Sequence, residues 1–431
     1  MSELRRAAGD DDTTVARLGN GVRVVAIRLP HLESASASVF VRTGSAYESP
    51  RLNGISHVVE HMAFKGTQAR DCQRINLDAE RLGADVNAHT DKDHTAFHMR
   101  GLARHAGDFV RMLGDIVCAS SFPDAELERE REVILHEVTE DEDDALATAF
   151  KLFDKACFGA HPLAQPVIGS RRNIERFTRQ DLLGYVRRQY SGENVIVGVA
   201  GNVDPDAMVA TAEAAFGGMP AGEANRVEPA AYLGGLKSRR QPGGNQTQVV
   251  LGFPIPSLPE DDGASAVAAA LFGEGMSSPL MDAIRERQPL VYYAGCSADV
   301  MPHAGQFVIE ASTSPQHLDA LFVEVARLLR EHAERTDAVG LERARNQLAV
   351  RRVRAQERPM RRLEDAAQDL FALGRVRSRA EAGARIEAVT PQRVREVFAR
   401  MLAAGPSVAI AGKLGKVGPE RFAELLAAGA R

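Results

Sequence analysis

Three residues in the stretch GISHVVEHMAFKGT have the types and the spacing of a metal site. His57 and His61 are four residues apart, and Glu60 directly precedes the second histidine. On a helix these positions fall within about 100° of one another, so both imidazoles can bind one ion with the carboxylate beside it. A zinc ion held in this way lowers the pKa of a bound water to roughly 7, and a neighbouring carboxylate can accept its proton. The H-x-x-E-H spacing therefore predicts a metal-dependent hydrolase.

The spacing alone leaves another interpretation open, because two helix histidines can also be a buried pair satisfied by hydrogen bonds. A catalytic zinc site needs a third protein ligand. A later acidic helix offers Glu130 and Glu137, which are seven residues apart and are expected to share an inward face with Val133 and Ile134. Inward carboxylates are costly unless they are paired or bound to a metal, so both are candidates for the site.

The elements that must position these residues follow from hydrophobic periodicity. Residues 13–48 alternate apolar and polar residues, which predicts antiparallel strands, and the segment with the histidines is predicted to be helical. Residues 123–153 are predicted to form one long acidic helix. The same order of strands and helices recurs after a stretch rich in Gly and Pro. We therefore predict an α+β fold of two tandem homologous domains, each a mostly antiparallel sheet covered by helices: residues 1–220, a linker at 221–243, and residues 244–431.

Composition narrows the class of protein. The 431 residues are 44% hydrophobic and 26% charged, which is typical of globular domains. The net charge of −5 argues against nucleic acid or an anionic membrane surface as a partner. The basic stretch Arg351–Arg362 lacks interleaved aromatics, so we expect a solvated helix face there. Neither a signal peptide nor an apolar run long enough to span a membrane is visible.

These features predict a cytoplasmic protein, or a periplasmic one if the natural N-terminus has been trimmed. The cysteines are far apart and form no C-x-x-C pair, so we expect free thiols in a reducing compartment. The four cysteines are Cys72, Cys118, Cys157 and Cys296.

The chain resembles the inverted zinc peptidases related to pitrilysin, insulysin and the mitochondrial processing peptidase, and it is most similar to their short bacterial members. The pieces that carry the resemblance run in family order over nearly the whole chain. They are NGISHVVEHMAFKGT, GADVNAHTDKDHTAF, ELEREREVILHEV, HPLAQPVIGS, NVIVGVAGNVD and GMSSPLMDAIRERQPLVYYAG.

The resemblance implies roles for individual residues. His57, His61 and Glu137 correspond to the ligands of one Zn²⁺ per chain, and Glu60 corresponds to the general base. Glu130 corresponds to a carboxylate that orients a ligand histidine. A salt bridge on the helix surface is the alternative role for Glu130.

Residues Asn87, Ala88, His89 and Thr90 match the edge strand on which the family aligns its substrate. Pairing through the backbone tolerates many sequences, so the resemblance implies broad specificity. His89, His94 and His98 could form a second metal site, but we expect packing or surface roles for His94 and His98.

In the second domain, Arg285 and Tyr292 stand at the family's Arg-to-Tyr spacing, which implies that they hydrogen-bond the substrate and steady the oxyanion. A helix-surface pair for Arg285 and a core position for Tyr292 are the alternatives. The family fold sets this pair opposite the zinc in a chamber formed by two halves. One chain supplies one half, so we expect a clamshell homodimer, with a heterodimer as the alternative.

The resemblance thus predicts a zinc-dependent endopeptidase that hydrolyses peptides or small unfolded proteins in a closed chamber. The alternative is a non-catalytic or partner-dependent subunit of a heteromeric peptidase-like assembly. The sequence departs from processing peptidases that prefer arginine, because Ala147 and Lys151 stand where those enzymes carry acidic residues. We therefore expect no such preference here.

Overall fold

The computed structural model describes residues 3–6 and 12–428, so the predicted domain ends at residues 1 and 431 lie outside the described residues. The strands are β1 (Glu3–Arg6), β2 (Thr13–Arg17), β3 (Arg23–Arg28), β4 (Ser34–Val41), β5 (Asp85–Thr90), β6 (Thr95–Leu102), β7 (Val195–Gly201), β8 (Gly235–Arg240), β9 (Thr247–Ile255), β10 (Val291–Val300), β11 (Gly305–Thr313) and β12 (Ser407–Gly412).

The helices alternate with these strands along the chain. They are α1 (Ile55–Ala63), α2 (Cys72–Arg81), α3 (Ala106–Ala119), α4 (Asp124–Asp143), α5 (Ala145–Phe158), α6 (Arg171–Arg176), α7 (Arg179–Gln189), α8 (Pro205–Phe216), α9 (Ala264–Gly273), α10 (Pro279–Met281), α11 (Leu318–Glu334), α12 (Ala338–Gln356), α13 (Pro359–Leu373), α14 (Arg379–Glu387), α15 (Pro391–Ala404) and α16 (Glu420–Ala428). A π-helical turn, Asp282–Arg287, continues α10.

The chain forms two compact units, and unit 1 comprises Met1–Val138, Gln165–Glu228 and Arg354–Ala380. Its 7-stranded sheet has the order β1-β2-β3-β7-β4-β6-β5, and each neighbouring pair is antiparallel except β3 with β7. Helices α1, α3, α7 and α8 cover one face, and α13 covers the other. Because alternate residues of a strand face opposite sides, Val39 of β4 lies in the first core and Phe40 in the second.

Unit 2 comprises Thr139–Ala164, Pro229–Val353 and Glu381–Arg431. Its 5-stranded sheet has the order β10-β11-β9-β12-β8, and each neighbouring pair is antiparallel except β8 with β12. Helices α9, α11 and α15 bury one face, and α5 lies on the other, where Phe153 packs over Gly252 of β9. Both units confirm the predicted α+β class with mostly antiparallel sheets covered by helices.

The compact units differ from the contiguous domains expected from the sequence. Helix α5, from the first half of the chain, packs on the sheet of unit 2, whereas α13, from the second half, packs on the sheet of unit 1. Each sheet thereby has apolar residues buried on both of its faces. The stretch 221–243, predicted to be a linker, contains β8, which pairs in parallel with β12 along its full length.

The predicted acidic helix over residues 123–153 is in fact two helices. Helix α4 ends at Asp143, and α5 begins at Ala145. Between them Asp144 has an extended backbone, and its carboxylate accepts hydrogen bonds from the backbone N–H groups of Leu146 and Ala147. An aspartate at this position caps the first turn of α5, so the break follows from local capping chemistry that the continuous helical pattern conceals.

The basic stretch is exposed or partly exposed over most of its length, as expected, but its last residue is buried. The Arg351 side chain is 64% exposed and pairs with Glu274, whereas the Arg362 side chain, with 4% of its surface exposed, pairs with Asp12 at 2.9 Å. Within the described residues, no helix is both long and apolar enough to cross a membrane.

Candidate metal centre

Helix α1 has an apolar face and a polar face, and the polar face carries three residues that can bind a metal or a proton. The apolar side chains are buried in the core of unit 1, and His57, Glu60 and His61 are only partly buried. The helix begins after Gly54, which has φ 97° and ψ −6°. This left-handed backbone suits glycine, and a Cβ there would lie 2.8 Å from the Cα of Gly169.

The start of α1 is anchored by Glu48, a residue that the sequence analysis missed. Its carboxylate is 2% exposed and accepts hydrogen bonds from the backbone N–H groups of Gly54 and Ser56, each at 2.8 Å. Burial raises the pKa of Glu48, and these hydrogen bonds oppose that rise. Glu48 is therefore a positioning residue that satisfies the free N–H groups at the start of the helix. The sequence gives little indication of this role, because Glu48 lies in an irregular segment several residues before the helix that it caps.

The structure brings His57, His61 and Glu137 together. The Nε2 atoms of His57 and His61 are 3.2 Å apart, and the Glu137 Oε2 atom lies 3.7 Å from the first and 3.5 Å from the second. Zinc bonds of about 2.0–2.1 Å at tetrahedral angles place ligand atoms roughly 3.4 Å apart. Two imidazole nitrogens and one carboxylate oxygen with this spacing fit a zinc ion and leave a fourth position free for water or substrate.

Glu130 lies beside the Nδ1 atom of His61. Its Oε2 atom is 3.2 Å from His61 Nδ1, and its Oε1 atom is 2.6 Å from Lys65 Nζ. A proton on Nδ1 donated to Glu130 leaves the Nε2 lone pair directed at the group of three. Glu130 does form an ion pair, with Lys65, but it is 8% exposed, so the pair is not the salt bridge on the helix surface that was the alternative.

The other histidine is kept neutral by its surroundings. Burial, and then the neighbouring His61, lowers the pKa of His57 to about 4. A neutral imidazole is the form that binds a metal. Among the described residues, the buried His57 Nδ1 atom has no hydrogen-bond partner.

Helix α4 places Glu130 and Glu137 on its inward face, as expected, but the prediction for one of the two apolar residues between them is wrong. Ile134 is fully buried, whereas Val133 is 46% exposed. The inward face of α4 is therefore narrower than the pattern predicted.

Glu60 stands beside the group of three but is not part of it. Its Oε2 atom accepts a hydrogen bond of 2.6 Å from Thr90 Oγ1 on β5. Burial raises the pKa of Glu60, and the charge of Glu137 adds to the rise, while the Thr90 hydrogen bond and His61 oppose it. A carboxyl group with a raised pKa next to a metal-type cluster is suited to accept and return a proton.

Strand β5 forms one edge of the sheet in unit 1 and contains all four predicted substrate-binding residues, Asn87, Ala88, His89 and Thr90. Ala88 packs toward the core beneath α1, and Thr90 faces Glu60. Asn87 is exposed, and its side chain accepts a hydrogen bond from the Ala88 N–H group. An exposed edge strand beside a metal-type cluster can pair with an extended peptide backbone.

Arg285 and Tyr292 lie in unit 2. Arg285 is exposed on the π-helical turn, and the Tyr292 side chain on β10 is 65% exposed. Within the described part of the chain, neither side chain has a hydrogen-bond or ion-pair partner. The alternative of a helix-surface pair is therefore wrong for Arg285, and the alternative of a core position is wrong for Tyr292. Both polar groups are free to bind another molecule.

Comparison with known proteins adds two family matches. Residues 23–171 match the description "Insulinase (Peptidase family M16)", and residues 176–348 match "Peptidase M16 inactive domain". An uncharacterized zinc protease from Rickettsia bellii is 30% identical over 396 residues, which cover 91% of this chain and 93% of the relative.

Solved structures share the fold. A protease from Helicobacter pylori has a TM-score of 0.84 at 17% identity, with 93% of this chain and 99% of that chain covered. A chain of complex III2 from Candida albicans has a TM-score of 0.83 at 17% identity, with 96% and 99% covered.

Proposed function

The chain belongs to peptidase family M16, and we propose that it is a zinc-dependent endopeptidase that cleaves peptides or small unfolded proteins. We propose further that it acts as a homodimer whose two halves enclose the substrate. The observation that carries the proposal is the group of His57, His61 and Glu137, whose ligand atoms lie 3.2–3.7 Å apart with Glu60 beside them.

His57, His61 and Glu137 would hold the zinc ion. When bound, zinc would lower the pKa of a water molecule and polarise the scissile carbonyl group. Glu60 would accept the proton of the attacking water and deliver it to the leaving amine. Its raised pKa favours the first of these transfers, since a stronger base takes the proton of the attacking water more readily.

Thr90 would keep the Glu60 carboxylate in one orientation through its 2.6 Å hydrogen bond. A peptide would add to the free edge of β5 as a further strand, so its backbone would be aligned without strong demands on its side chains. Because β5 ends at Thr90, the aligned peptide would run directly past Glu60.

Arg285 and Tyr292 would complete the site of the other subunit in the homodimer. Both are exposed and lack a partner within the described residues, which supports a role toward another molecule. A guanidinium and a phenol are hydrogen-bond donors that can bind a peptide carbonyl and stabilise the developing oxyanion.

The alternative function is a non-catalytic or partner-dependent subunit of a larger assembly. The favouring observation is the fold shared with a chain of complex III2 at a TM-score of 0.83. The preserved arrangement of three metal-type ligands around a raised-pKa carboxyl argues for the peptidase, since an assembly role requires neither.

The first experiment measures zinc content and cleavage of a quenched fluorescent peptide by the wild type and by Glu60→Gln. We expect Glu60→Gln to retain zinc and to lose cleavage by roughly 10²–10⁴-fold, the typical contribution of a general base. Glu132→Gln, an exposed glutamate on α4, is the matched control and should keep both properties. Cleavage by Glu60→Gln at the wild-type rate would exclude the proposed mechanism. A wild type that binds zinc but cleaves no peptide would favour the alternative function.

The shared site is tested by mixing two inactive proteins, Glu60→Gln and Arg285→Ala. In a random mixture half of the dimers are mixed, and each mixed dimer has one intact site, so about a quarter of the wild-type activity should return. A monomer that is fully active, or a mixture that stays inactive while subunits exchange, would contradict the homodimer proposal.

A further inference from the structure

A second cluster of metal-type side chains lies where β5 turns into β6. The ligand atoms of His89, Asp91 and His94 all lie within 4.8 Å of one another. The Nε2 atoms of His89 and His94 are 3.3 Å apart, and Asp91 Oδ2 is 3.9 Å from His94 Nε2. The separation of the two imidazole nitrogens resembles that in the first cluster and is close to the roughly 3.4 Å between ligands of one tetrahedral zinc ion, and the Asp91 carboxylate lies somewhat farther away.

This cluster is separate from the first because it lies on the opposite face of the sheet. Thr90 faces Glu60 and α1, and successive side chains of a strand point to opposite faces, so His89 points away from α1. The ring centroid of His94 lies 6.0 Å from that of Phe40, which belongs to the core beneath α13. The two clusters therefore share no residue, and they lie on opposite sides of β5.

His94 is oriented as metal-binding histidines usually are. It is 6% exposed, and its Nδ1 atom lies 3.1 Å from the Asp93 carboxylate. A proton donated from Nδ1 to this carboxylate leaves the Nε2 lone pair directed at His89 and Asp91. In the first cluster, Glu130 has the same relation to His61.

Carboxylates surround the imidazole pair. Asp93 Oδ1 is 3.1 Å from His94 Nδ1, and Asp91 Oδ2 is 3.9 Å from His94 Nε2. Negative charges at these distances attract a cation to this position.

We propose that His89, Asp91 and His94 form a second binding site for a divalent transition-metal ion of the zinc class. Two imidazoles and one carboxylate suit such an ion, whereas Mg²⁺ and Ca²⁺ prefer oxygen ligands. The ion would link the end of β5 to the turn that follows it. If the proposed peptidase function holds, this link stiffens the strand that aligns the peptide.

The test uses Co²⁺ as the probe, with binding followed by its visible absorption and by calorimetry. In a chain carrying His57→Ala and His61→Ala, the first cluster is removed, and we expect about one Co²⁺ per chain to remain. Adding His94→Gln should abolish this binding. In the chain with an intact first cluster, His94→Gln should lower the bound Co²⁺ from about two to about one.

Two further variants separate ligand loss from loss of structure. Asp91→Asn changes a side chain that is 60% exposed, so the fold should persist while Co²⁺ affinity at this site falls by at least roughly 10-fold. His105→Gln is the matched control, because His105 also pairs with an aspartate, Asp108, but belongs to no cluster of metal-type residues among those described.

Absence of Co²⁺ binding in the His57→Ala and His61→Ala chain, with circular dichroism like that of the wild type, would overturn the second site. Equal binding by the chains with and without His94→Gln would also overturn it. None of these measurements depends on peptide cleavage, so failure of the second site is distinguishable from failure of the proposed peptidase function.

Discussion

Helices α1 and α9 begin in the same way in the two units, each after a glycine with a left-handed backbone. Gly54 before α1 has φ 97° and ψ −6°, and Gly263 before α9 has φ 85° and ψ −8°. Each helix also packs on its unit's sheet through an apolar face. The two helices differ in the residues on their remaining face. This difference explains why the candidate metal centre lies in unit 1 and not at the same place in unit 2.

The remaining face of α1 holds His57, Glu60 and His61, which are partly exposed toward β5 and α4. The corresponding face of α9 is closed, because the sequence ASAVAAALFG is buried almost throughout. The same backbone arrangement thus supports chemistry in one unit and packing in the other. In unit 2 the exposed polar groups, Arg285 and Tyr292, lie instead on the turn and strand that follow α9.

The largest expected effect is the loss of a metal ligand on the α1 side. Glu137→Gln should lower zinc affinity by more than the roughly 100-fold typical of outer-sphere changes, because a neutral amide replaces one of three ligands. Zinc affinity is measured by competition with a chelator, in a His94→Gln background so that the proposed second site does not contribute. Glu132→Gln is the control, and equal affinities of the two variants would exclude Glu137 as a ligand.

A smaller effect is expected from the carboxylate that orients His61. Glu130→Gln should weaken zinc binding by about 10–100-fold, since the amide is a weaker acceptor for His61 Nδ1 and leaves Lys65 without its charged partner. Glu128→Gln removes a carboxylate from the same helix that pairs with Arg131 on the surface, so it should not change zinc affinity. A loss as large with Glu128→Gln would show that the effect comes from α4 as a whole.

The two glycines allow a direct comparison of the helix starts. Gly54→Ala should destabilise the protein by about 1–2 kcal/mol through the left-handed backbone alone, and more through the contact with the Gly169 backbone. Gly263→Ala has the same backbone cost, but the closest atom to its Cβ would be the end of the Ile386 side chain at 3.1 Å, which can move, and the Arg385 backbone would be at an ordinary contact distance of 3.5 Å. The thermal midpoint should therefore fall further for Gly54→Ala. Equal midpoints would show that close backbone packing at Gly54 is not required.

The sequence predicted which side chains group together at α1 better than it predicted the units around them. His57, Glu60 and His61 are close in sequence on one helix, so their spacing determines which side chains can meet. Glu137 could be placed because α4 is regular and the resemblance supplied its spacing.

The exchange of α5 and α13 between the halves of the chain could not be predicted from periodicity. An amphipathic helix must bury one face, but its own sequence does not say which sheet it covers. The same limit applies to His89 and His94, since a packing or surface role was expected for His94. A hairpin turn brings them together, and strand alternation alone does not reveal that contact.

The smallest expected effect concerns His332, which reports on the closed side of α9. His332 is 8% exposed, its ring centroid is 5.4 Å from that of Phe272 on α9, and its Nδ1 donates to the Leu328 carbonyl. Burial lowers its pKa below the usual 6.5, so the unfolded chain binds a proton more readily than the folded one. Stability should therefore fall as the pH drops below about 6.5, by at most about 1.4 kcal/mol per pH unit from this residue.

Replacing His332 with leucine removes the titrating group and keeps the site apolar. Urea midpoints measured between pH 7 and pH 5 should then fall less steeply for His332→Leu than for the wild type, because the unfolded variant no longer gains that proton. His332→Met should flatten the dependence to the same extent, since its side chain also fills the space beside Phe272 without titrating. If both variants kept the wild-type slope, His332 would not be a source of the acid sensitivity, and the next variants to compare would be at His57 and His98 in unit 1, where burial also lowers the pKa.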